Sequence, residues 1–282
     1  MAVATEALPL EQITVAGPSR ADRVTRIWSA LWPKVLAFGL FIAAWQVIVW
    51  TGWKSETVIP SPFTVLSAMW DDRSMLLKAA SNTLRRGLIG YAVALVIGGV
   101  IGIAVARSRI LRAGIGSMIT GLQTMPSVAW VPLAIILFYG EGAITFVVVL
   151  GAAPSIANGI IAGVDHVPPI LLRAGRVLGA RGFSALRHVV VPAALPSVVG
   201  GLKQGWAFAW RSLLAGELIA LIPGHAGLGN VMSAAGANAD YVGVYEVMVV
   251  IFIIGVVVDA VFFGSLDRWL RRRYGLIDAA AG

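Results

Sequence analysis

Six apolar runs, each long enough to cross a lipid bilayer, constrain this chain more than any other feature of its sequence. They lie at roughly 35–53, 87–106, 114–139, 143–164, 194–220 and 244–265. About 20 apolar residues match a hydrocarbon core ~30 Å thick. Inside that core every backbone N–H and C=O must be satisfied by the segment itself, so each run is expected to be a helix. The period-2 alternation of a membrane barrel is missing. Of the 282 residues, 58% are hydrophobic and 13% charged, a composition suited to lipid rather than to a soluble surface. The fold class expected is an all-α membrane protein with six transmembrane helices.

Charge position sets orientation. With the N-terminus inside, the cytoplasmic segments hold Arg20, Arg23, Arg26 and Lys34, then Arg107, Arg109 and Arg112, then Arg173, Arg176, Arg181 and Arg187, and last Arg268, Arg271, Arg272 and Arg273. The outer side receives only Lys54, Arg73, Lys78, Arg85 and Arg86. This bias places both termini in the cytoplasm. The net charge of +8 is therefore a topology signal and does not point to nucleic acid. Residues 1–30 read as a cytoplasmic tail, largely disordered, followed by a transmembrane domain over 31–275 and a short tail over 276–282. Cysteine is absent, which excludes disulfides and thiolate chemistry. The three histidines are scattered, without metal-ligand spacing, and no Walker A sequence is present, so neither a metal nor a nucleotide cofactor is expected.

Local punctuation adds detail. "IPSPFTVLSAMW" offers Ser61 as an N-cap and Pro62 at the first position of a short helix. Ala94, Gly98, Gly102 and Ala106 recur every four residues, a stripe that permits close helix contact. "QTMPSVAWVP" breaks the third run, since each proline removes a backbone donor.

The stretch "LLRAGRVLGARGFSALRHVVVPAALP" stands between two spans, too polar to be one itself. Within the segment 165–192, Pro168 and Pro169 can open a helix, and Ile170, Ala174, Val177 and Leu178 follow i, i+4, i+7, i+8 spacing on one apolar face. Gly179 and Gly182 permit a turn. Phe183, Leu186 and Arg187 begin a second short helix, which Pro192 ends ahead of the next span. A helix–turn–helix with an apolar face on the membrane surface suits the groove of another protein.

On these residues the chain resembles the permease subunit of binding-protein-dependent type I ABC importers. Their cytoplasmic signature runs Glu-Ala-Ala, three residues, Gly, nine residues, Ile, one residue, Leu-Pro. Here Arg173-Ala174-Gly175, Gly179, Val189, Val191 and Pro192 keep that spacing, with Arg173 reversing the charge of the glutamate. "IPSP", "PSVAWVPLAIILFYGEG", "VVVPAALPSVVGGLK", "GLGN" and Asp259 look like the branch serving nitrate, taurine and aliphatic sulfonates. The resemblance implies a bacterial inner-membrane importer. Two permease copies, expected as a homodimer, form the pathway in the bilayer. Two ABC ATPase subunits dock on the coupling element, where Arg173, Ala174, Gly175, Gly179, Phe183, Leu186 and Pro192 carry the contact. An extracytoplasmic binding protein delivers the cargo, with an aliphatic sulfonate ahead of nitrate, taurine or another small solute. The chain itself is then no enzyme.

Pathway residues are sought among ionisable and polar groups inside spans, which normally face a cavity or a partner. Arg211 is the leading group, because a planar donor fork suits an oxyanion. Lys203, Trp210 and Glu217 lie seven apart and share a helix face, and Trp210 and Glu217 join Arg211 as pathway candidates. Pairing of Arg211 with Glu217 or Asp259 is the structural alternative. Lys203 reads as reaching for the interface, and Asp259 as a helix–helix partner. Gln123, Thr124 and Ser127, beside the proline break, are polar enough to line a pore. A secondary carrier would require coupling carboxylates or an internal repeat, and a membrane enzyme would require clustered His, Asp or Glu. The chain shows one clear mid-span carboxylate and no visible repeat, and no such cluster is apparent.

Overall fold

The structure is a computed structural model, which describes residues 20–220 and 224–274. Among these residues every regular element is helical and there is no strand. The chain divides into two units, residues 1–62 and 63–282.

In the first unit, helix α1 (Arg20–Trp50) begins inside the stretch expected to be a disordered tail. Between Pro18 and Pro33 there is no glycine or proline, so nothing in the backbone stops the helix from extending past the apolar run. The rest of the expected tail, residues 1–19, lies outside the described residues, as do residues 276–282. After α1, the Trp45 indole N–H donates to the Pro60 carbonyl at 3.1 Å, folding the connecting segment back along the helix.

In the second unit, α2 (Pro62–Asp71) starts at the proline that the sequence marked. Helix α3 (Arg73–Arg107) starts well ahead of the apolar run. Its additional turns are amphipathic: Leu76, Ala79, Ala80 and Thr83 form one buried stripe. The unit is organised around α6 (Glu141–Asp165), with α3 packed along one side and α9 (Val191–Ile219) along the other. Gly98 and Gly102 of the small-residue stripe lie against the α6 backbone at Ala153 and Ala157. On the other side a Cβ at Gly201 would lie 2.5 Å from the Gly159 Cα, so both helices need glycine where their backbones meet. Tyr91, Ile144, Val148, Trp206 and Leu213 fill the core between these three helices.

The third apolar run is not one straight span. Helix α4 (Arg109–Thr124) ends at Met125, whose extended backbone (ψ 131°) is the conformation that Pro126 imposes on its predecessor. A 3₁₀ turn (Ser127–Trp130) leads into α5 (Val131–Leu137), and the two halves are bent by 103°. Helix α7 (Pro169–Val177) follows α6, and Gly179 (φ +83°) and Gly182 (φ +53°) make the turn. Helix α8 (Phe183–Ala185) then runs through a π turn (Leu186–Val190) into α9 without a break.

Pro192 therefore does not end the second short helix. It sits at the first turn of α9, and the wider π turn before it accommodates a ring that lacks a donor and would crowd a regular helix. Helix α10 (Leu228–Ala237) packs beside α11 (Tyr241–Val257), which continues through a second π turn (Val258–Phe263) into α12 (Gly264–Arg273). Five of the described helical runs are long and apolar enough to cross a membrane, and the bent α4–α5 pair makes a sixth.

Candidate functional site

The break between α4 and α5 opens a cavity of about 320 Å³ against α6 and α9. Four residues singled out in the sequence meet there: Gln123, Thr124 and Ser127 from the break, and Arg211 from α9. Trp130, Leu150, Gly151 and Phe208 supply apolar and small surface. The Arg211 guanidinium stands 4.6 Å over the Phe208 ring, a cation–π arrangement, and its Nε donates to the Ala207 carbonyl at 3.3 Å. Among the described residues no carboxylate lies within ion-pair distance of it, and both acids weighed as its partners pair elsewhere. Glu217 pairs with Arg86 at 2.9 Å, and Asp259 pairs with Lys203 at 2.8 Å. An exposed guanidinium beside a cavity, with its terminal nitrogens unused, can bind an oxyanion in a bidentate way.

Gln123 is held from both ends of its amide. It donates to the Ser155 hydroxyl at 2.8 Å and accepts from the Asn158 amide at 2.7 Å. These bonds pin the C-terminus of α4 to the middle of α6, fixing the wall that faces Arg211. Thr124 spends its hydroxyl on the Gly121 carbonyl of its own helix at 2.8 Å. Ser155 and Asn158 were not singled out in the sequence. The available signal was two polar side chains three apart within an otherwise apolar span.

Trp210 and Glu217 do not join this cavity. Trp210 is buried, stacked on Trp206 with ring centroids 6.2 Å apart, and faces a second, apolar cavity toward α11. Glu217 is fully buried at the end of the bundle where α3 and α6 begin and α9 ends. The face that it was expected to share with Trp210 is used there for packing. Its Oε1 accepts from Arg86, and its Oε2 accepts from the Thr83 hydroxyl at 2.9 Å and the Gly229 N–H at 3.1 Å.

Arg86 also donates to Glu141 and to the His225 carbonyl, and Arg85 pairs with Glu141. Leu228 N–H donates to Thr83 at 2.7 Å, and the Asn230 amide donates to the Glu217 and Ala220 carbonyls. One network, buried at Thr83, Arg86 and Glu217 and open to solvent at Arg85 and Glu141, thus ties α3, α6 and α9 to the start of α10. It gives the "GLGN" stretch a reason, since a side chain at Gly227 or Gly229 would collide with Glu217. Sequence reasoning treated Arg85 and Arg86 as outer-loop charges and missed this arrangement.

At the opposite end stands the α7–α8 element. Arg173, Ala174, Gly179 and Phe183 are exposed, Leu186 is half-buried, and Gly175 is buried against Val189. Nearby, Arg112 of α4 pairs with Asp165 at the end of α6 at 2.8 Å.

Comparison with known proteins places this arrangement. A family described as "Binding-protein-dependent transport system inner membrane component" matches residues 94–275. A putative ABC transporter permease of Methanocaldococcus jannaschii is 30% identical over 80% of this chain and 88% of its own length. The taurine transport system permease of Escherichia coli is 28% identical, covering 73% of this chain and 79% of that one. The nitrate import permease of Synechococcus elongatus is 25% identical, over 66% and 71%. Among solved structures, the methionine ABC transporter MetNI in an inward-facing form has a similar fold. Its TM-score is 0.59 at 20% identity, covering 71% of this chain and 98% of that one.

Proposed function

This chain belongs to the family of binding-protein-dependent transport system inner membrane components, in the branch that includes taurine and nitrate permeases, and from that premise we propose that it forms the membrane pathway for an aliphatic sulfonate. It is the permease of a type I ABC importer.

The observation that carries the choice of cargo is Arg211, a cation without a carboxylate partner among the described residues, on the wall of a cavity with both polar and apolar lining. A charge in a span costs about 2.5–3.5 kcal/mol on insertion scales, so its retention without a carboxylate among the described residues favours a charge brought in by cargo. None of the described cavity-lining residues is acidic, so among them the ammonium of taurine would find no counter-charge. Leu122, Val128, Leu150 and Phe208 suit an alkyl tail, which nitrate lacks. Gln123, Thr124 and Ser127 form the facing wall, with Gln123 acting as its brace.

A second copy completes the pathway, and an extracytoplasmic binding protein loads it. Two ATPase subunits grip the 165–192 element through Arg173, Ala174, Gly175, Gly179, Phe183, Leu186 and Pro192. Both termini lie in the cytoplasm. ATP is hydrolysed on the partner subunits, and closure of those subunits pulls the element as a rigid body.

The test is uptake of radiolabelled ethanesulfonate into proteoliposomes holding the assembled transporter, with taurine and nitrate as competitors. Arg211→Ala is expected to reduce uptake about 10- to 100-fold, the worth of a charged hydrogen-bond pair. Arg211→Lys should recover only part of it. Unchanged kinetics would remove Arg211 from the pathway, competition by nitrate alone would reassign the cargo, and uptake without ATPase subunits would favour a secondary carrier.

A further inference from the structure

The exposed surface of α7 is asymmetric. At about 100° per residue, Val177, Ile170, Ala174, Leu178 and Leu171 fall in order across one arc about 120° wide. All five are exposed, Val177 and Leu178 at 87% and 86%. Gly175 and Leu172 lie on the side packed toward the protein body, where a Cβ at Gly175 would come within 2.8 Å of the Val189 side chain.

Arg173 and Arg176 both fall on one flank of the apolar arc, and the other flank has no charge at all. The segment 168–192 contains no acidic residue. Among the described residues, none of the exposed Arg173, Arg176, Arg181 and Arg187 has a carboxylate within ion-pair distance. Arg176 merely donates its Nε to the Leu172 carbonyl one turn back, at 3.3 Å. The nearest acid in sequence, Asp165, is committed to Arg112.

We propose that the protein groove receiving α7 has an apolar floor and carboxylates on one rim only, the rim facing Arg173 and Arg176. The inference rests on the reading that an ATPase subunit docks at this element, and it specifies that subunit's chemistry. Floor and rim do different work. Burial of Val177, Leu178 and Ile170 supplies affinity, whereas the one-sided charge steers encounter and fixes which way round the helix lies. An anionic bilayer is the other surface that four arginines and an apolar arc can meet. The packing argues against it. Gly175 faces the π turn that leads into span α9, so the centre of the apolar arc is turned about 100° away from the start of the span instead of toward the hydrocarbon.

The experiment uses the full chain in nanodiscs, neutral phosphatidylcholine in one set and phosphatidylglycerol-enriched lipid in the other, and the purified ATPase subunit of the same transporter. The Kd is measured across a salt series. Wild-type affinity should fall steeply with salt in both lipids. Arg173→Gln/Arg176→Gln should weaken binding about tenfold at low salt and flatten the salt slope, and Arg173→Glu/Arg176→Glu should lose about a hundredfold. Leu178→Ala should weaken binding at every salt concentration and leave the slope unchanged.

Wild-type affinity in the double Glu variant would overturn the acidic rim while leaving ATPase docking intact. Loss confined to phosphatidylglycerol discs would give the arginines to lipid headgroups. Failure of the wild-type chain to bind the subunit in either lipid would reject the docking reading itself, and the rim with it.

Discussion

Arg86 shows how one residue can be misjudged from its neighbours in sequence. Beside Arg85 at the head of an apolar run it reads as an outer-loop charge, yet its side chain is 2% exposed and it serves Glu141, Glu217 and the His225 carbonyl together. Taking one partner from a buried pair leaves an uncompensated charge, a loss of about 3–5 kcal/mol. Arg86→Met should therefore lower thermal stability of the purified permease markedly. Adding Glu217→Gln should restore part of the loss, because glutamine keeps an acceptor for Thr83 and the Gly229 N–H. A single variant as stable as wild type would mean that the network contributes nothing. Arg211 is the contrasting case: similar chemistry in the same bundle, but without an acidic partner among the described residues and beside a cavity. The residue type cannot tell these two arginines apart; only the positions of Glu217 and Asp259 do.

At the scale of the element, the closest approach of α6 to α9 is set by glycines, with the large core side chains packed to either side of it. Gly159 and Gly201 meet backbone to backbone, so neither has a flexible neighbour that could move aside. Gly201→Val should separate the helices at a cost of about 1–3 kcal/mol, seen as a lower melting temperature in detergent. Gly200→Val next to it, where a Cβ meets open space, should be nearly silent. Equal effects of the two would place the helix contact elsewhere. The helix break follows from Pro126, but its consequence needs α6: Gln123, Ser155 and Asn158 convert a proline bend into a fixed wall. The π turn before Pro192 does the opposite, keeping a proline-containing segment continuous. The α7–α8 element thus runs directly into span α9.

For the whole molecule, the orientation argued from charge has a direct test, since the chain contains no native cysteine. Single replacements then report one site each. Ser184→Cys, in the α7–α8 element, should react with a membrane-impermeant maleimide only in inside-out vesicles. Glu56→Cys, after α1, should react only in spheroplasts. The reverse pattern would invert the topology and place the element on the wrong side for ATP-driven partners.

Most of the fold was legible in one dimension, because lipid imposes a requirement that each segment meets by itself. Backbone groups must bond within the helix and apolar side chains must face outward, so length and hydropathy mark the spans. Spacing alone also located the α7–α8 element, since glycine at positive φ and a helical apolar face are local properties. The start of α1 within the expected tail, the early start of α3 and the continuity through Pro192 were not legible. Each depends on helix extension beyond the apolar run, or on a local widening of the helix. The partners of the charges depended wholly on tertiary structure. Arg86 and Glu217 are 131 positions apart in the chain, and Lys203 and Asp259 lie on different spans. Among the described residues Arg211 is left without a carboxylate while Glu217 and Asp259 pair elsewhere, and a pattern of spacing holds no information about which distant helix supplies a partner.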